Sequence, residues 1–416
     1  MSKHDFLPES LMMTYGYQPK LSEGAIKSPI FQTSTFAFET AEEGKAFFQS
    51  ANGKAESNLP PDGLIYSRLN NPNLQIVEER MCLWDGAEEA AVFESGMAAI
   101  STMLLEFLKP GDVLLHSSQL YGGSDYFIKK VLARYHIGHV EVDPQLTKDQ
   151  ILALLEEKKA VEKVKFIYLE TPANPTNQLV DINKFKELAE SLGQRNKPVL
   201  IGVDNTYMGP IWQKPLQHGA DLVVYSATKY LGGHSDIVAG VCLGKSAHVK
   251  LIKKLRGNFG SMAGPHTAWL LMRSLETVKL RMEKQALNAR EVATFLNNHP
   301  KVKQVYYLGN LTAADAADYR IYKKQCSDAG AMLAFDVDGN ESKAFKFLNS
   351  MQLIKLAVSL GSTESLAQHP ATMTHSNVEE ADRLRMGISE SMIRLSIGVE
   401  NAKDIIWDLE QALSKI

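Results

Sequence analysis

The sequence predicts an α/β fold: a largely parallel sheet with helices on both faces, and a smaller C-terminal α/β domain. Between residues 64 and 260, apolar runs of strand length alternate with helical patterns, which is typical of parallel sheets. At 416 residues the chain is longer than one domain usually is, which favours two domains. The apolar runs are residues 90–93, 113–116, 166–169, 199–203, 222–225 and 238–243.

The patterns also predict how the chain divides. Residues 1–62 carry few regular patterns and end in a polar stretch with Gly and Pro, so we expect an extended N-terminal arm and a long loop. Residues 63–260 are expected to form the large domain, and residues 261–416 the small one. The small domain should contain a long helical stretch at about 265–298, strands at 332–337 and 392–397, and a helix at about 403–414.

Composition restricts the partners and the compartment. With 45 basic and 48 acidic residues the net charge is −3, so we expect neither a nucleic-acid nor an acidic-membrane partner. No apolar block reaches the length of a membrane span, and the start lacks the apolar core of a secretory signal. Cys82, Cys242 and Cys326 are too scattered for a disulfide framework or a familiar zinc site. We therefore expect a cytoplasmic protein without a metal.

The most informative side chain is Lys229, which follows an apolar run. Ser226 and Thr228 flank it, and a Gly-Gly pair at 232–233 comes directly after. A lysine in a small polar pocket can have a lowered pKa and form a Schiff base with an aldehyde. Pyridoxal phosphate is the obvious aldehyde, because the two hydroxyl groups would hold its phosphate. A surface lysine in a Gly-Gly turn is the alternative, and this stretch alone favours it.

Other strand ends supply the groups that such a cofactor needs. Asp204 ends a strand and can pair with the pyridinium nitrogen, although an Asp there can also cap a turn. Asn174 is placed to hydrogen-bond the ring hydroxyl, although Asn-Pro alone marks only a turn. Ser95, Gly96 and Met97 stand between a strand and a helix, where free N–H groups bind phosphate or Ser95 simply caps the helix. Ligands of parallel sheets bind at these carboxyl ends.

Together these segments resemble the Cys/Met-metabolism family of pyridoxal-phosphate enzymes, from about residue 28 to the C-terminus. That family includes cystathionine γ-synthase, cystathionine γ- and β-lyases, methionine γ-lyase and the homoserine-ester sulfhydrylases. The resemblance implies fold type I, similar to aspartate aminotransferase, with a seven-stranded sheet in a large cofactor-binding domain. The matching motifs are 66–72 (YSRLNNP), 95–97 (SGM), 120–123 (LYGG), 170–175 (ETPANP), 203–206 (VDNT), 226–230 (SATKY), 359–365 (SLGSTES), 374–375 (TH) and 393–400 (IRLSIGVE).

The resemblance implies a role for each matching residue near the cofactor ring. Lys229 would hold the cofactor covalently and then move protons on the substrate. Asp204 would pair with the ring nitrogen, and Asn174 would support the ring oxygen. Tyr121 would stack on the ring and act as acid or base for the γ leaving group. A core tyrosine is the alternative for Tyr121.

The resemblance also implies the phosphate and substrate contacts. Arg394 would clamp the substrate carboxylate, a task that suits the guanidinium geometry, although a surface ion pair is the alternative. The remaining phosphate ligands would come from a neighbouring subunit that the N-terminal arm contacts, so we expect at least a dimer and, from the family, a tetramer. The phosphate pocket would be Gly96, Met97, Ser226 and Thr228, the neighbour's ligands Tyr66 and Arg68, and the further substrate contacts Ser359, Tyr66 and Val358.

The residues favour one activity over its alternatives. Val358 stands where cystathionine-handling members tend to carry glutamate, which favours γ-elimination on a substrate such as methionine, cystathionine or an analogue. Gly123 opposes methionine, because bacterial methionine γ-lyases carry a reactive cysteine there, and the Lys-Asp pair of those enzymes is missing near 256–264. γ-Replacement of the cystathionine γ-synthase type is the close alternative. A regulator without catalysis is less favoured, since Lys229, Tyr121 and Arg394 are all present, and the family resemblance disfavours a transaminase.

Overall fold

The computed structural model describes residues 5–51, 63–193, 198–376 and 378–416, and it contains two sheets. The strands of the larger sheet are β1 Glu89–Phe93, β2 Val113–Ser117, β3 Gly138–Val142, β4 Val164–Glu170, β5 Leu200–Asp204, β6 Leu222–Ser226 and β7 Gly240–Gly244. Those of the smaller sheet are β8 Val302–Tyr306, β9 Met332–Val337, β10 Lys355–Leu356, β11 Leu366–Gln368 and β12 Met392–Ser396. The helices are α1 Pro8–Leu11, α2 Ala41–Ala51, α3 Pro72–Asp85, α4 Gly96–Phe107, α5 Gly122–Tyr126, α6 Lys148–Glu157, α7 Ile182–Gly193, α8 Gly209–Trp212, α9 Ser246–Phe259, α10 Pro265–Leu275, α11 Val278–Asn297, α12 Ala316–Gln325, α13 Glu341–Leu348, α14 Glu380–Arg385 and α15 Ala402–Ser414.

The larger sheet has the predicted architecture. Within the described residues it contains seven strands in the order β1-β7-β6-β5-β4-β2-β3. Strands β2 to β6 pair in parallel, and β7 runs antiparallel to β1 and β6. The α/β fold class and the mostly parallel sheet are therefore confirmed. Each predicted run overlaps a strand, although the run at 238–243 becomes a strand only from Gly240.

Strand β3 was not predicted. It is the edge strand beside β2, and it alternates between exposed residues such as His139 and buried residues such as Val140 and Val142. An edge strand that buries one face carries polar residues on the other, here His139 and Glu141. These polar residues interrupt the apolar run by which the other strands were recognised.

Helices cover both faces of the larger sheet. On β6, Leu222 and Val224 pack on the same side as Met103 of α4. Val223 and Tyr225 point to the opposite side, which α3 and α7 cover. Burial on both faces explains why the inner strands read as continuous apolar runs.

The helical stretch predicted for 265–298 is present and consists of two helices. Helix α10 ends at Leu275 and α11 begins at Val278, with Thr277 in a non-helical conformation between them. The buried Arg281 guanidinium accounts for the break, since its Nη2 donates to the Ser274 carbonyl at 3.0 Å and so caps the end of α10. Among the described residues, no helix combines the length and the apolar character needed to cross a bilayer.

The N-terminal arm is more regular than the sequence suggested. Helix α2 runs from Ala41 to Ala51 within the arm, whereas few regular elements were expected there. Gly44 weakens the helical pattern in this stretch. The predicted long loop lies mostly at 52–62, which is outside the described residues, and the domain boundaries stay a prediction.

Candidate active site

Three strand ends of the larger sheet meet at one edge. Strand β4 ends at Glu170 and β5 at Asp204, and these two residues are register partners. Strand β6 ends at Ser226, and the turn that follows carries Lys229. Because the carboxyl ends of parallel strands share an edge, residues predicted from separate motifs come together here.

Asp204 is a buried carboxylate whose oxygens are held in place. Tyr168 Oη donates to Oδ2 at 3.2 Å, and the Thr206 backbone N–H donates to Oδ1 at 3.0 Å. Burial raises the pKa of Asp204, whereas the hydrogen bonds from Thr206 and Tyr168 favour its charged form. In the described part of the chain no cation forms an ion pair with it. A protonated pyridine nitrogen is the kind of cation that this carboxylate lacks.

Lys229 reaches toward the segment that precedes β11. Its Nζ donates to Ser359 Oγ at 2.9 Å. Burial, with the Arg394 cation as a second cause, lowers the pKa of Lys229 to about 8. At neutral pH such an amine is a better nucleophile and base than an ordinary lysine.

Arg394 is a buried guanidinium on β12 that contacts the same group of residues. Its Nη1 donates to Asn174 Oδ1 at 3.1 Å, and its Nη2 donates to the Ser359 carbonyl at 2.6 Å. Tyr207 Oη donates to the same Asn174 oxygen at 3.3 Å. With its amide turned to suit its neighbours, the Gln368 oxygen accepts from Nε and Nη1 at 3.2 Å. Every acceptor described around Arg394 is neutral, which leaves its charge available for a carboxylate ligand.

The N-terminus of α4 and the end of β6 form a narrow cradle. A Cβ added at Gly96 would lie 2.9 Å from Ser226 Cβ, so only glycine allows this close approach. Ser95 Oγ caps the helix by accepting from the Ala98 N–H at 3.0 Å. The N–H groups of Gly96 and Met97 have no acceptor within the helix and are suited to a phosphate. The cradle therefore fits the phosphate of pyridoxal phosphate.

The Thr228 hydroxyl is already engaged with the backbone. Its Oγ1 donates to the Ala239 carbonyl at 3.3 Å and accepts from the Ala239 N–H at 3.1 Å. The backbone N–H of Ser226 donates to Thr206 Oγ1 at 2.8 Å, which ties the cradle to the Asp204 segment. The predicted phosphate contacts of Ser226 and Thr228 stay predictions.

Tyr121 lies at the start of α5 and is 45% exposed. Its backbone N–H donates to Glu170 Oε2 at 2.6 Å. A Cβ at Gly123 would lie 2.6 Å from Tyr121 Cε1 and 3.2 Å from Met97 Sδ. The observed ring position therefore depends on glycine at residue 123.

None of the hydrogen bonds or ring contacts described for Tyr66, Arg68 or Val358 involves Lys229 or Arg394. Arg68 Cζ lies 5.9 Å from the Tyr66 ring centroid, and its Nη1 donates to the Gly257 carbonyl. Both residues are exposed, as is the Val358 side chain beside Ser359. A role for Tyr66 and Arg68 at this chain's own Lys229 finds no support here, and a role at a neighbour's site stays a prediction.

Sequence reasoning did not assign Tyr168, Tyr207 or Glu170 to the site. Tyr168 and Glu170 lie on the same strand, and Tyr207 follows the VDNT motif. Their positions at strand ends were the available signal, because neighbouring strand ends point into the same crevice. Their partners became evident only from the pairing of the strands.

The low pKa of Lys229 predicts how its reactivity depends on pH. In cofactor-free protein, acylation of Lys229 by a small anhydride should rise with pH around a midpoint near 8, because only the neutral amine reacts. Mass spectrometry of the modified peptides measures this midpoint, and the other lysines serve as internal references. Arg394→Met should move the midpoint upward, since it removes a neighbouring positive charge. A midpoint near that of a free lysine, about 10.4, would contradict this account.

Comparison with known proteins agrees with this geometry. The family model described as Cys/Met metabolism PLP-dependent enzyme matches residues 9–414. An L-methionine gamma-lyase from Fusobacterium nucleatum is 40% identical over 396 residues, which cover 94% of each chain. The structure of cystathionine gamma-lyase from Lactobacillus plantarum, complexed with L-serine, superposes with a TM-score of 0.86 at 33% identity over 99% of both chains. That of cystathionine gamma synthase from Xanthomonas oryzae pv. oryzae, with aminoacrylate and cysteine, gives 0.87 at 30% identity over 99% of both chains.

These matches extend over nearly the whole chain and include both sheets. They confirm fold type I and pyridoxal phosphate as the cofactor. The family that the motifs indicated is therefore the correct one, and this chain belongs to the Cys/Met metabolism family of pyridoxal-phosphate-dependent enzymes.

Proposed function

We propose that this enzyme is a lyase that catalyses γ-elimination on a γ-substituted L-amino acid such as methionine, cystathionine or an analogue. The products would be an α-keto acid, ammonia and the γ-leaving group. The observation that carries this proposal is the Lys229 amine, held by Ser359 and with its pKa lowered to about 8, beside the Arg394 guanidinium, whose described acceptors are all neutral. The 40% identity to an L-methionine gamma-lyase over 94% of the chain supports the same activity.

The cofactor and the residues of this chain would have separate roles in the reaction. Pyridoxal phosphate, when bound, supplies an electron sink for carbanion chemistry. Lys229, Asp204 and Asn174 would hold its carbonyl carbon, ring nitrogen and ring oxygen. The cradle of Gly96, Met97, Ser226 and Thr228 would hold its phosphate.

The substrate would be bound through its carboxylate and would lose protons from Cα and Cβ and then its γ substituent. Arg394 would bind the carboxylate with two parallel N–H donors, assisted by Ser359. Lys229 would take the proton from Cα, release it to the C4′ carbon of the cofactor, and then take one from Cβ, because a pKa of about 8 leaves part of its amine neutral at physiological pH. Tyr121 would deliver a proton to the departing γ group, since its ring lies at the open side of the cluster.

γ-Replacement is the second candidate, and the likeness to a cystathionine gamma synthase at a TM-score of 0.87 favours it. The two reactions share their first steps and differ in whether water or a thiol completes the turnover. The Val358 side chain is 57% exposed beside Ser359, which leaves room there for a substrate side chain or an incoming thiol.

We further propose that the active enzyme is at least a dimer and, as in the family, a tetramer. The arm supports this proposal, because Leu21 and Ile26 are 74% and 78% exposed on a single chain. The exposed Tyr66 and Arg68 would then reach the phosphate at a neighbouring subunit's site. A cytoplasmic location stays a prediction from the cysteine usage.

A substrate panel on cofactor-loaded protein tests the proposed reaction. The panel contains methionine, cystathionine, homoserine esters and canavanine, each without added thiol. At least one of these compounds should yield a keto acid and ammonia. Lys229→Ala should lower this rate by about 100- to 10,000-fold, because the proton-transferring base is lost. Keto-acid and ammonia release are the measurements.

The panel also separates the two candidates. Product that forms only when cysteine or sulfide is present would replace the lyase assignment with γ-replacement. Undiminished turnover in Lys229→Ala would exclude the mechanism for either reaction. Lys186→Ala, on the exposed side of α7, is the matched lysine control and should leave the rate unchanged.

Hybrid enzymes test whether the site is shared between subunits. Chains with Lys229→Ala and chains with Arg68→Ala are co-expressed with two different tags and purified as hybrids. These hybrids should recover up to about half of the wild-type activity. The reason is that one site of each hybrid dimer contains a native Lys229 and its neighbour's native Arg68. Hybrids as inactive as the Lys229→Ala parent would show that Arg68 serves its own chain's site.

A further inference from the structure

Glu170 is a buried acid at the active site that has no assigned role. It is the last residue of β4 and is 7% exposed. Its Oε2 accepts from the Tyr121 backbone N–H at 2.6 Å, and its carboxyl group also accepts from the Asn174 backbone. Its register partner on β5 is Asp204. The Glu170 side chain therefore connects two of the residues on which the proposed reaction depends, and its strand places it beside a third, Asp204.

We propose that Glu170 is a positioning residue that anchors the Tyr121 and Asn174 backbones to the strand end carrying Asp204. The inference rests on the proposed function, because Tyr121 and Asn174 would contact the cofactor and the reacting substrate. Glu170 itself acts through these residues.

Tyr121 needs such an anchor because it is 45% exposed, α5 is only five residues long, and among the described residues no side chain caps the start of that helix. The hydrogen bond to Glu170 fixes the Tyr121 backbone itself to the larger sheet, whereas the buried Ser124 hydroxyl fixes the next turn of the helix to Tyr168 of β4. If the anchor is lost, the turn and the Tyr121 ring become mobile relative to the cofactor.

The charges around Glu170 favour its protonated form at neutral pH. Burial, as the larger cause, and the negative charge of Asp204, as the second, raise the pKa of Glu170 to about 8. The other titratable groups facing it are the Tyr168 and Tyr207 hydroxyls, and none of these neighbours is a cation. Thr206 and Tyr168 stabilise the Asp204 anion, so Asp204 carries the negative charge and Glu170 the proton. Glutamine has the shape and the acceptor oxygen of a protonated glutamate, which makes Glu170→Gln a close mimic.

The test compares Glu170→Ala and Glu170→Gln in cofactor-loaded protein, with Glu187→Ala on the exposed side of α7 as control. Hydrogen exchange resolved to the Tyr121 amide should be about tenfold or more faster in Glu170→Ala than in wild type, because its acceptor is gone. The kcat of Glu170→Ala should fall by about tenfold or more, with a smaller change in KM. Glu170→Gln should stay within about threefold of wild type in both measurements.

Melting temperatures against pH test the protonation state of Glu170. Because the folded-state pKa of Glu170 is raised, its contribution to stability is retained at low pH and lost as pH rises through about 8. The Tm of Glu170→Gln relative to wild type should therefore increase between pH 5 and pH 9. The Glu187→Ala difference should stay flat.

Two results would overturn the proposal. One is wild-type exchange at the Tyr121 amide in Glu170→Ala. The other is a Glu170→Gln variant as impaired as Glu170→Ala, since that would make the charge essential. Absence of γ-elimination in the wild type would instead refute the proposed function, and the exchange result would still decide whether Glu170 anchors Tyr121.

Discussion

The parallel register of β4, β5 and β6 is the constraint on which the rest of the site depends. It places Glu170 beside Asp204 and carries the chain from Ser226 directly to Lys229. The strands are buried on both faces, so a slip of one residue would turn apolar side chains out of the core and is strongly disfavoured. Packing energy across the whole sheet thus holds a few polar groups at fixed separations.

The second constraint comes from the segment between β10 and β12. Ser359 has a φ of +97°, a conformation that costs a residue other than glycine about 1–3 kcal/mol. This conformation accompanies two contacts, since its Oγ accepts from Lys229 and its carbonyl accepts from Arg394. One serine therefore brings the Lys229 amine close to the Arg394 guanidinium, and this proximity also contributes to the low pKa of Lys229.

Much of the fold and of the site could be predicted from the sequence. The inner strands were recognisable because burial on both faces makes them continuously apolar, whereas the edge strand β3 was not. Lys229 and Asp204 were recognisable because each stands at or just after the end of an apolar run of strand length. Tyr207 and Glu170 were not, since their contacts with Asn174 and Tyr121 depend on how distant segments pair.

The central claim is that Lys229, and no other lysine, is the covalent attachment point of the cofactor at the strand ends. Borohydride reduction of the loaded protein, followed by mass mapping of its peptides, measures this most directly. The account predicts one phosphopyridoxyl group per chain, on the peptide that contains Lys229, and none in Lys229→Ala. A modified lysine elsewhere, with residue 229 unmodified, would contradict it.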